Sequence, residues 1–215
     1  MKNCFVQGGG FLGAFIGPMF CGKSEALIRT LNRYKIAQMR VVAFKPDMSR
    51  RKEKKNEIAG RDGAHFHAYP ISVTAPEVIL TYLDEYDVIG IEEIQFFDEN
   101  MIHVLEECRA LGKRVYVAGL DLDFRTEPFK IVPYLLAVAD EVEKMRAVCM
   151  VCHQEAGLTQ RIIDGRPAKY DSPLIDVGDS EKYEARCRKC HKIPGKPPIT
   201  HLLNGGKPQE VHETQ

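Results

Sequence analysis

Apolar runs and amphipathic stretches alternate along most of the chain. Residues 11–16, FLGAFI, are apolar and bounded by glycine, which predicts a short buried strand. Residues 24–39 carry Leu27, Leu31 and Tyr34 at i, i+4 and i+7, one face of a helix. A second strand is predicted over 41–44, closed by Lys45-Pro46, and a short one over 65–69. Between them RRKEKKNE, residues 50–57, has no period and reads as a solvated loop. Residues 76–85 predict a helix with proline near its first turn, and 88–91 a buried strand ending at Glu92-Glu93. Asp98 is placed to cap a helix with Met101, Leu105 and Cys108 on one face, which Gly112 ends. A strand over 115–120 and a helix over 131–139, with Pro133 in its first turn, complete the series.

Strands alternating with helices predict an α/β fold: a mostly parallel sheet with helices on both faces. Near Cys149 the pattern changes. Residues 149–193 are polar and contain two CxxC pairs, with too little apolar material to fold unaided, so a metal-stapled lobe is expected. From Pro194 onward, PGKPP, NGGKP and QEVHETQ read as a disordered tail. The expected division is 1–148, 149–193 and 194–215.

Charge narrows the function classes. Thirty basic residues balance thirty acidic ones, so no overall charge points to nucleic acid or to a membrane surface. No apolar stretch reaches the roughly 20 residues of a spanning helix. An export signal fits the N-terminus poorly, because glycines interrupt the approach, Pro18 lies inside the apolar run and bulky Phe20 precedes Cys21. Seven cysteines, an odd number, argue against a disulfide scaffold and for a metal site in a reducing compartment. A cytoplasmic location is expected.

The chemistry begins at GPMFCGKS: Gly17, Pro18, Met19, Phe20, Cys21, Gly22, Lys23 and Ser24. This is G-x-x-x-x-G-K-[ST], between a predicted strand and a predicted helix. Glycines let backbone N–H groups converge on phosphate, Lys23 reaches the terminal phosphates, and the Ser24 hydroxyl helps hold Mg²⁺. The helix N-terminus adds its positive dipole end. Glu92 and Glu93 end a buried strand, where α/β sheets bind ligands; one can support Mg²⁺ and the other can act as a base. Neighbouring strand residues ordinarily face opposite ways, an alternation that relaxes where a strand becomes a loop. A pair of solvated acids is the plain alternative.

Cys149-x-x-Cys152 and Cys187-x-x-Cys190 form a four-thiolate Zn²⁺ set. A redox CxxC would need a thioredoxin-like setting, which is missing. Four cysteines complete a tetrahedron, so His153 and His191 are read as bystanders.

Several motifs in order then resemble one family. GPMFCGKS with EALIRTLNRYKIAQMR, IGIEEIQFF, AGLDLDFRTEPF, AVCMVC and SEKYEARCRKCH are similar to type II thymidine kinases, the zinc-containing cytosolic kind, over about residues 11–193. The resemblance implies transfer of the ATP γ-phosphate to the 5′-hydroxyl of thymidine or deoxyuridine, a homotetramer, and feedback inhibition by thymidine triphosphate. It implies Glu93 as catalytic base, Glu92 with Ser24 at Mg²⁺, and Leu120, Phe124 and Phe129 around the thymine ring. It places Thr159, and Leu174 through Asp176 and Gly178 to Tyr183, in a lasso loop over the base. Of Phe96 and Phe97, it favours Phe96 as a pocket wall, with the other in the core. Arg161 either reaches the substrates or is a solvated arginine. The chain departs from the family at Glu92, where aspartate is usual, at Cys21, at Ser49-Arg50-Arg51 and at Gly60-Arg61-Asp62-Gly63. Cys21 is expected to be neutral in effect, because its position offers backbone N–H.

A rival reading is a P-loop ATPase with a DNA-binding zinc lobe. It predicts a basic face with interleaved aromatics, and the one basic run, residues 50–55, has none. The zinc lobe is expected to act on nucleoside affinity and to leave ATP binding intact.

Overall fold

The computed structural model describes residues 9–47, 56–174 and 182–197. Strand β1 (Phe11–Ile16) leads through the GPMFCGKS loop into helix α1 (Lys23–Ile36), and β2 (Val41–Pro46) follows. Gln38 ends the helix at φ 61°, with the Met39 amide returning to the Tyr34 carbonyl at 3.0 Å, a left-handed cap made without glycine. Next come β3 (Glu57–Ala59), β4 (His65–His67) and β5 (Tyr69–Ile71). The one strand expected over 65–69 is therefore two. β4 pairs antiparallel with β3, while β5 joins the main sheet beside β2.

Residues Pro76–Tyr82 form a 3₁₀ helix, where the sequence predicted an α-helix to residue 85. Val78, Ile79 and Thr81 are β-branched and stiff, which lowers the local preference for α-helix. β6 (Val88–Ile91) is wholly buried and ends at the two acids. Helix α2 (Asn100–Ala110) starts one residue later than expected, yet Asp98 still caps it: its Oδ1 accepts the Asn100 amide at 3.1 Å. β7 (Arg114–Gly119) and α3 (Val132–Val138) follow as predicted in kind.

β8 (Glu141–Lys144) had no signal in the sequence. Its four residues, EVEK, are all exposed, and it pairs parallel with β1 at the sheet edge. Charged side chains on an edge strand guard it against unwanted pairing and also erase the apolar pattern. The sheet order is β5-β2-β6-β7-β1-β8, parallel at every pairing. The 3₁₀ helix, α2 and α3 pack on one face through Ile79, Met101, Leu105 and Leu135. On the other face α1 packs through Leu27, Leu31 and Tyr34. This is the α/β architecture expected.

The C-terminal part is antiparallel. β9 (Ala147–Val148) and β10 (Glu155–Ala156) flank the first cysteine pair. β11 (Leu158–Ile163) lies between β12 (Arg166–Pro167) and β13 (Lys182–Arg186), and the second cysteine pair follows. Among the described residues no helix is long and apolar enough to cross a membrane.

Candidate active site

Three neighbouring strands converge at the C-terminal end of the sheet: Gly17 after β1, Glu92 after β6 and Leu120 after β7. A Cβ on Gly17 would lie 2.6 Å from the Met145 carbonyl oxygen, so only glycine allows this approach. Gly22 takes φ 84° immediately before α1. Lys23 folds back over the loop, donating to the Pro18 carbonyl at 2.6 Å, with Cys21 Sγ 3.8 Å away. Burial pushes the Cys21 thiol up, more strongly than Lys23 pulls it down, so it stays protonated and neutral at physiological pH. The Met19 amide donates to Thr159 Oγ1 at 2.9 Å, which ties the loop to β11.

Ser24 Oγ donates to Glu92 Oε1 at 2.5 Å, while Glu92 Oε2 is buried with no hydrogen-bond partner. Burial first, then the charge of Glu93, raises Glu92 to about 8; Ser24, Lys23 and Lys45 act in the opposite direction. A buried, unpartnered carboxylate oxygen beside a serine hydroxyl and a lysine suits a divalent cation accompanying phosphates. Glu93 is half-buried and stands at φ 51°, in the left-handed region. The strand's alternation thus breaks between the two acids. Gln95 Nε2 donates to Glu93 Oε2, and Gln95 Oε1 accepts the Leu120 amide at 3.0 Å.

The Sγ atoms of Cys149, Cys152, Cys187 and Cys190 all lie within 4.8 Å of one another, and Cys152 and Cys187 are 3.6 Å apart. A tetrahedral Zn²⁺ with four thiolates needs sulfurs about 3.8 Å apart, so the set fits. Burial opposes a Cys149 thiolate, but the amides of Cys152, Cys187 and Val151 outweigh it and hold the thiol down at about 6. The Cys190 amide likewise lowers Cys187. His153 is exposed, and the His191 ring lies 3.2 Å from the Thr159 carbonyl; neither belongs to the four-residue set.

The sequence model described as thymidine kinase matches residues 10–191 of this chain. The chain belongs to the thymidine kinase family. Its reaction is accordingly phosphoryl transfer from ATP to thymidine, and a kinase of this kind uses ATP with Mg²⁺.

In this kinase Phe97 is core, 2% exposed, while Phe96 is half-buried with its ring edge-on to Phe129 at 6.4 Å. Leu120 is half-buried at the end of β7. Phe124 is buried, with the guanidinium groups of Arg161 and Arg125 at 5.4 and 5.3 Å from its ring. Arg161 is 0% exposed and donates to the Pro173 carbonyl, so the solvated-arginine alternative falls. Tyr183 pairs with Arg161 across β13 and β11. Leu174, the first residue of the stretch expected to form the lasso, is exposed; Asp176 and Gly178 lie outside the described residues, as do residues 49–51.

Sequence reasoning passed over several side chains at this site. Gln95 is one, and its signal was a polar residue inside the apolar IGIEEIQFF. Arg61 is another: its guanidinium stacks 4.0 Å from the Phe20 ring, and its amide donates to Glu25 Oε1 at 2.7 Å. Arg125 donates to the Ser172 carbonyl at 2.6 Å. Neither arginine had a periodic or spacing signal, because the groups that its hydrogen bonds reach are distant in sequence.

Proposed function

We propose that this kinase transfers the γ-phosphate of ATP to the 5′-hydroxyl of thymidine and of deoxyuridine, with residues 17–24 as the phosphate-binding loop and Glu93 as general base. The contact between Ser24 Oγ and Glu92 Oε1 carries this reading, because it joins the loop and the strand-end acid in one site. Loop amides and Lys23 would hold the triphosphate, and Glu92, whose Oε2 has no hydrogen-bond partner, would support its cation. A bound Mg²⁺ supplies neutralisation of phosphate charge. Glu93, steadied by Gln95, orients the 5′-hydroxyl and takes its proton as the oxygen bonds to phosphorus and ADP leaves.

Phe96, Leu120, Phe124 and Phe129 enclose the base in this reading, and residues 159 and 174–183 close over it. Zn²⁺ on Cys149, Cys152, Cys187 and Cys190 staples residues 149–193 into a lobe that packs against the ATP-binding residues 1–148. The type II assignment, cytoplasmic location, homotetramer and inhibition by thymidine triphosphate belong to the same reading. It involves no nucleic acid and no membrane.

The test is turnover of radiolabelled ATP against a panel of nucleosides and DNA. Label should pass to thymidine and deoxyuridine and not to deoxycytidine or deoxyguanosine. Hydrolysis that requires DNA and ignores thymidine would establish the rival ATPase. Metal analysis should find about one zinc per chain, and sedimentation should give four chains per particle.

A further inference from the structure

Residues 194–197, beyond the end of the family match, are folded onto the loop that carries Phe124 and Phe129. Lys196 Nζ donates to the Arg125 carbonyl, and to Thr126 Oγ1 at 2.7 Å. The Tyr170 amide donates to the Pro194 carbonyl at 2.9 Å, and a turn at Gly195 returns the Lys196 amide to the Ile193 carbonyl at 3.2 Å. The same loop is held from its other side. Tyr170 Oη donates to Glu127 Oε1 at 2.5 Å, and Arg125 reaches Ser172. Residues 194–197, which the sequence assigned to a disordered tail, are thus held in place, and the rest of that stretch, 198–215, lies outside the described residues.

The loop needs holding. Thr126 has φ 67°, a conformation that a β-branched residue adopts only where its surroundings impose it. Inside the turn, Asp123 Oδ1 accepts the amides of Arg125 at 2.8 Å and Glu127 at 2.9 Å. Those bonds shape residues 123–127 but do not engage the Thr126 side chain. Lys196 does, with a charged donor shared between the Thr126 hydroxyl and the carbonyl just before it. Phe124 precedes this strained turn and Phe129 follows it.

We propose that Lys196 is a positioning residue for nucleoside binding: by clamping Arg125 and Thr126 it keeps Phe124 and Phe129 in their bound arrangement before thymidine arrives. The proposal rests on the reading of those phenylalanines as walls of the nucleoside pocket. It assigns to a residue outside the family match a role in the family's reaction, acting through order and not through contact. A loop that must be ordered on binding weakens affinity for the ligand it encloses, and none of the bonds lost with Lys196 reaches residues 17–24.

The test compares Lys196→Met, which keeps the aliphatic stem and deletes the donors, with Lys196→Arg, which retains a cationic donor. Lys196→Met should raise the thymidine KM about tenfold, the scale of one charge-assisted hydrogen bond. The ATP KM should stay within about twofold, and Lys196→Arg should recover most of the loss. Amide exchange in peptides spanning 121–129 should quicken in Lys196→Met alone. An unchanged thymidine KM, or ATP and thymidine KM rising together, would overturn the proposal. Phe129→Ala, run in parallel, separates the two readings. If it too leaves thymidine KM unchanged, the pocket assignment fails and the proposal falls with it; if it raises KM while Lys196→Met does not, the clamp alone fails.

Discussion

Glu93 stands at φ 51°, and the half-turn this makes in the chain separates it from Glu92, which stays buried against Ser24. Replacing Glu93 by glutamine keeps its shape and its bond with Gln95 but removes the proton acceptor. Turnover should drop by about 100-fold or more while the ATP KM changes little; steady-state kinetics retaining half the wild-type turnover would remove Glu93 from the role of base. Glu92 makes a different prediction. In protein free of metal and nucleotide, burial and Glu93 raise it from an ordinary 4.5 to about 8, so the folded state holds a proton that the unfolded chain has lost. That contribution to stability is fully present below about pH 4.5 and disappears as pH rises through about 8. Melting temperature should therefore fall more steeply between these limits in wild type than in Glu92→Gln. Parallel curves would mean that Glu92 is ionised throughout.

Two elements are secured in ways that their own sequences do not display. Helix α1 ends on Gln38 at φ 61°, where a side chain is strained and glycine is not. Gln38→Gly should stabilise the protein by about 0.5–1 kcal/mol, visible as a raised denaturation midpoint. The loop of residues 17–24 is fastened by the Met19 amide on Thr159 Oγ1. Thr159→Val keeps the side-chain volume and deletes the acceptor, leaving that amide without its partner. The expected result is an ATP KM about three- to tenfold higher, with a smaller change for thymidine. A change confined to thymidine would instead place the Thr159 hydroxyl on the nucleoside alone.

At the scale of the molecule, the four-cysteine lobe and the loop of residues 17–24 share one small core. Cys21 packs with Ala147, Cys149, Ala156 and Ala185, and Phe20 and Met145 lie against them. Together with the Met19–Thr159 bond, this joins the two parts of the chain across the site. The sequence expectation that metal loss spares ATP binding does not fit this packing. Cys187→Ser should lower bound zinc and raise both KM values, thymidine through the lasso and ATP through the loop. Metal analysis and kinetics on the same preparation check it, and an ATP KM unchanged in zinc-free soluble protein would show that the shared core holds without the metal.

What the sequence determined by itself was whatever one element declares locally. The runs of β1, β2, β6 and β7 are buried on both faces and so read as uninterrupted apolar segments. The G-x-x-x-x-G-K-S spacing and the two CxxC pairs are short-range chemistry, legible without a fold. Tertiary structure decided the rest. β8 is a strand because β1 lies beside it, not because EVEK prefers extension. The left-handed turn at Glu93, the fully buried Arg161 and the clamp of Lys196 on residues 125 and 126 depend on groups brought together from distant parts of the chain. Periodicity records which face of an element leaves water; it carries no record of which polar group will meet another once the chain has closed, since that depends on the placement of every element between them.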